Sequence, residues 1–90
     1  MATTQTSASH VWPLGTTIAA DGALSLGGVD ARELAQAYGT PAYVVAEDDI
    51  RSRARAFVEA LRARHDVFDV LFASKAFPCT AVYRLLAEYE

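Results

Sequence analysis

The chain has one cysteine, Cys79, and one lysine, Lys75, among its 90 residues. A lone cysteine forms no internal disulfide, and neither histidine stands at a zinc-ligand spacing from it. That usage fits a reducing compartment, and a cytoplasmic location is expected. Residues 1–10 have no basic cluster leading into an apolar run, so they do not read as a signal peptide. No stretch approaches the roughly 18 consecutive apolar residues of a membrane helix. Charge of one sign is not concentrated anywhere. The net charge of −3 is spread over interspersed acids and bases, which leaves no footprint for nucleic acid or an anionic membrane surface. The other seven basic residues are all arginine, a bias that codon usage explains equally well.

What the chain does have is apolar side chains, 52% of the total, so disorder is not the default reading. A chain of this length makes at most one small domain with little core. Residues 1–15 read as a flexible leader, with His10 at the surface. Residues 16–26 read as a hairpin: Ile18 and Ala20 on one strand, Ala23 and Leu24 on the next, and Asp21-Gly22 as a two-residue turn with positive backbone angles. Gly27-Gly28 breaks that pattern and lacks the spacing of a phosphate-binding fingerprint.

A helix is expected next. Asp30 caps it, Glu33 completes a capping box, and Ala31, Leu34, Ala35 and Tyr38 form its apolar stripe. Gly39 ends it, and Thr40-Pro41 forbids continuation. Residues 42–46, with Tyr43, Val44 and Val45, read as a buried strand. Glu47-Asp48-Asp49 then caps a helix from about Ile50 to Arg64, with Ile50, Ala54, Phe57, Val58 and Leu61 on one face and its arginines and acids on a solvated face. Residues 67–76 are the most strand-like stretch of the chain. Residues 77–79 form a loop, and Thr80 caps a last helix with Val82, Leu85, Leu86 and Tyr89 at helical spacing. No stop signal precedes Glu90, so the chain is read as incomplete. Alternating helix and strand argue for an α/β architecture with parallel strands.

Chemistry concentrates on Lys75. On a strand over residues 70–75, Leu71, Ala73 and Lys75 share one face and Val70, Phe72 and Ser74 the other, which would pack on helices. Ligand sites of α/β folds lie at the carboxyl ends of their strands. An amine held there between apolar walls loses solvation of its charged form and becomes available as a nucleophile or Schiff-base partner. The plain alternative is a lysine that snorkels to solvent. Cys79, near a helix start, could be an activated thiol, but it has no identifiable base and reads as a packing or incidental residue. His65 reads as a helix-end residue favoured by the dipole, and Asp66 and Asp69 read as structural.

The segment Phe72-Ala73-Ser74-Lys75-Ala76-Phe77, with Cys79 and the helix that begins at Ala81, resembles the cofactor-lysine segment of diaminopimelate decarboxylases. Tyr38-Gly39-Thr40-Pro41-Ala42-Tyr43-Val44-Val45 and Asp48-Asp49-Ile50-Arg51 resemble the segments that precede it in that family. The resemblance implies an α/β fold: the start of a (β/α)8 barrel, over residues 28–90, and an amino-terminal hairpin, residues 16–27, belonging to a separate β domain. A complete barrel takes roughly 250 residues. The resemblance further implies pyridoxal 5'-phosphate held by Lys75 as a Schiff base, with Ala73 beside it; from the residue spacing, no metal ligand is expected. The implied reaction is decarboxylation of meso-2,6-diaminopimelate to L-lysine by a homodimer when full length. Phe77 departs from the asparagine that many relatives place there. Three alternatives stay open: a decarboxylase of another basic amino acid, a non-catalytic pyridoxal-phosphate-binding protein, and a small α/β interaction module in which Lys75 is incidental.

Overall fold

In a computed structural model of the chain, residues 3–5 and 11–89 are described, the first three by their backbone alone. The expected leader falls partly on residues 1, 2 and 6–10, and His10 with it, outside the described residues. Within that leader, however, Thr3–Gln5 forms a strand, β1. The chain divides into two compact units, residues 1–49 and 50–90.

The first unit is a four-stranded antiparallel meander followed by a helix. The strands are β1, β2 (Thr17–Ala19), β3 (Leu24–Leu26) and β4 (Val29–Asp30), adjacent in chain order. The register pairs Thr4 with Ile18, Ile18 with Leu24, and Leu26 with Val29.

The expected hairpin forms, with a different turn. Ala20, Asp21 and Gly22 make a three-residue loop: the Gly22 N–H donates to the Ala19 carbonyl at 2.9 Å and the Ala19 N–H to the Ala23 carbonyl at 2.8 Å. A two-residue Asp-Gly turn needs positive φ at both positions. Here Gly22 alone has it, at 88°, and Asp21 instead accepts the Ala23 N–H at 3.0 Å. Ala20 is therefore a loop residue. Gly27-Gly28 does more than break the pattern: with φ of 59° and 83° it closes a second tight hairpin between β3 and β4. Thr16, just before β2, is buried, and its hydroxyl is satisfied by donating to the Pro13 carbonyl at 2.6 Å.

Helix α1 spans Ala31–Tyr38, with Asp30 at its N-cap accepting the Arg32 N–H. Gly39, at φ 83°, ends it and donates its N–H to the Ala35 carbonyl. Residues 42–46 are not a strand: they have no ladder partner among the described residues, and Tyr43 is 98% exposed. A strand is secured by a neighbour, and a parallel neighbour lies a whole crossover away in sequence.

Helix α2 spans Glu47–Arg62 and begins three residues earlier than expected. Glu47, Asp48 and Asp49 form its first turn, where negative charge meets the unpaired N–H groups, rather than a cap before it. Asp49 also accepts the Leu14 N–H at 3.1 Å. In the second unit Val58 is the buried residue of α2, whereas Phe57, expected on the same face, is 64% exposed.

Residues 67–73 have no ladder partner among the described residues either, and a short 3-10 turn, Ser74–Ala76, takes the place of the expected strand end. Helix α3 spans Thr80–Ala87. Thr80 is its first residue, and Cys79 occupies the cap position without a side-chain bond. Val82 is buried, with Leu85, Leu86 and Tyr89 half-buried, as their spacing predicts. No helix among the described residues is long and apolar enough to cross a membrane.

Candidate functional site

Lys75 sits in the middle of the Ser74–Ala76 turn, four residues before the cap of α3. Two backbone bonds hold that turn. The Ala76 N–H donates to the Ala73 carbonyl at 3.0 Å and the Phe77 N–H to the Ser74 carbonyl at 3.1 Å. Upstream, the Phe72 ring packs edge-on against Tyr83 of α3, with centroids 6.3 Å apart. A segment without a ladder is positioned by such side-chain contacts, and this pair lies three residues from the lysine.

The second unit contains an open apolar groove of about 990 Å³ between α2, α3 and the segment before Lys75. Val70, Phe72 and Ser74 line it together with Val58 and Val82, but all three stay exposed, so the face expected to pack on helices meets them only through the Phe72–Tyr83 contact. Leu71 also reaches the lining, although alternation places it with Lys75. Ala73 and Lys75 are both exposed and are not among the lining residues.

The apolar walls expected around the Lys75 amine are thus not formed among the described residues. In a barrel such walls come from neighbouring strands, and residues 67–73 have no strand beside them. Asp69 lies at the groove, whereas Asp66 is an exposed residue beyond the end of α2. His65 is exposed, and its N–H closes the end of α2 by donating to the Leu61 carbonyl at 2.8 Å. No group of three or more His, Cys, Asp or Glu among the described residues is placed to hold a metal ion.

Charge clusters in each unit carry little signal in the pattern of the sequence. In the first unit, Arg32 grips its own cap residue: Nη2 donates to Asp30 Oδ2 at 2.7 Å and Nε to Asp30 Oδ1 at 3.1 Å. Its Nη1 reaches Asp21 Oδ2 in the hairpin loop at 3.3 Å. These side-chain bonds from Arg32, then its backbone N–H, pull the Asp30 carboxyl down from 3.8 to about 2. The same pairing raises the Arg32 guanidinium further. In the second unit, Arg51 of α2 pairs with Glu88 at the end of α3. The signal available for Arg32 was its place at the second helical position after an aspartate. Arg51 and Glu88 are 37 residues apart, and no local pattern links them.

The chain is similar over most of its length to proteins named diaminopimelate decarboxylase. The chain is 51% identical over 78 residues to the diaminopimelate decarboxylase of Actinosynnema pretiosum subsp. auranticum, covering 87% of the chain and 17% of that relative. It is 42% identical over 81 residues to the diaminopimelate decarboxylase of Mycobacterium bovis, covering 90% of the chain and again 17% of the relative. The enzyme of that name from Methanothermobacter thermautotrophicus is 45% identical over 67 residues, 74% of the chain and 16% of the relative. The resemblance read from the residues around Lys75 thus extends over most of the chain. The chain spans about a sixth of the length of these relatives, 17% in the first two. No protein-family model matches the chain. No solved structure matches it.

Proposed function

We propose that the chain is the amino-terminal part of a diaminopimelate decarboxylase that converts meso-2,6-diaminopimelate to L-lysine, with Lys75 holding pyridoxal 5'-phosphate. The observation that carries this reading is the 51% identity over 78 residues to an enzyme of that name. In this reading residues 16–27 belong to a β domain and residues 28–90 open an α/β barrel, in a protein that is a cytoplasmic homodimer when full length.

The residues present fit the cofactor at one point, its covalent attachment. An aldehyde-bearing cofactor needs an accessible amine, and Lys75 presents one from a hydrogen-bonded turn. Ala73, small and exposed, lies two residues earlier in the chain, and in this reading it borders the cofactor. The Ala76 and Phe77 N–H groups are already used inside the turn, so a phosphate would draw its donors from elsewhere in the protein. When bound, the cofactor supplies an electron sink for cleavage of the carboxylate bond beside the substrate amine. The part of this chain is to bind and orient it. Lys75 is the attachment point, and the Phe72–Tyr83 contact steadies the segment that leads to it.

The test is reductive trapping. The full-length protein is incubated with pyridoxal 5'-phosphate, reduced with borohydride and mapped by peptide mass spectrometry. Label on Lys75 in excess of label on the amino-terminal amine, and lost in Lys75→Ala, is the expected result. Label confined to the amino terminus would remove Lys75 from the reading and favour the module in which it is incidental. The 90-residue chain alone is expected to release no carbon dioxide from meso-2,6-diaminopimelate, because in this reading most cofactor and substrate ligands lie in the other five-sixths of the enzyme. Measured release would refute that.

A further inference from the structure

We draw no further inference here: the strongest candidate, the apolar groove that Phe57, Val58, Phe72 and Val82 line between α2 and α3, carries nothing because nothing in the structure shows what covers it.

Discussion

Asp30 serves two partners with one carboxylate, capping α1 through the Arg32 N–H and pairing with the Arg32 guanidinium. Folding lowers its pKa from 3.8 to about 2, so the ionised carboxylate favours the folded unit at any pH above 3.8. That contribution fades as pH falls through about 2. The amide signals of α1 should therefore titrate across this acidic window. In Asp30→Asn, which keeps a capping oxygen but no charge, the titration should vanish. An unchanged α1 titration in the variant would show that another group governs the acid response. Of this cluster, only the cap was legible beforehand. An aspartate before an apolar helical stripe announces itself, whereas the reach of Arg32 to Asp21 depends on how the hairpin folds against the helix start.

At the scale of elements, the two tight loops show what backbone conformation demands. Gly27 and Gly28 both have positive φ, and a Cβ at either position would meet nothing within 4 Å. Substitution there acts through backbone strain alone. Gly28→Ala should cost about 1–2 kcal/mol of the first unit's stability, while Gly28→Asn should cost less because asparagine tolerates the left-handed region. Equal losses in thermal unfolding of the two variants would contradict this account. Helix α3 offers the complementary case, in which packing decides. Val82 is 6% exposed, and Val82→Ala should destabilise the second unit by about 1–2 kcal/mol. Denaturant unfolding followed by the amide signals of α3 would measure it, with the exposed Ala81 mutated to Ser as the control. The helices were read well because their caps, breakers and apolar spacing lie within a few residues of one another. Where expectation slipped, as with Thr80 entering α3 as its first residue and the three acids starting α2, the shift follows from charge and cap geometry at a helix end.

For the whole molecule, the exposed apolar side chains are the dominant feature. Val67 and Leu71 are 93% and 89% exposed, and Tyr43 is 98% exposed, all on segments without a ladder partner among the described residues. Unpaired extended backbone with apolar side chains is a template for association. The isolated chain should sediment with a concentration-dependent mass, and Tyr43→Lys with Leu71→Lys should reduce that dependence. Identical monomeric behaviour of both forms would show these segments to be inert. This feature also marks the limit of what could be read from residue order. Local chemistry determined α1, α2 and α3, the glycine at each turn and the resemblance around Lys75, because each rests on residues close together in the chain. Tertiary structure decided the rest. It left residues 42–46 and 67–73 without the ladder that would make them strands, and it left Lys75 exposed rather than walled in. It also set Phe72 against Tyr83 and Arg51 against Glu88. A ladder, an apolar wall or an ion pair needs a partner from a distant part of the chain, and a periodic pattern records which face a residue offers without recording what arrives to meet it.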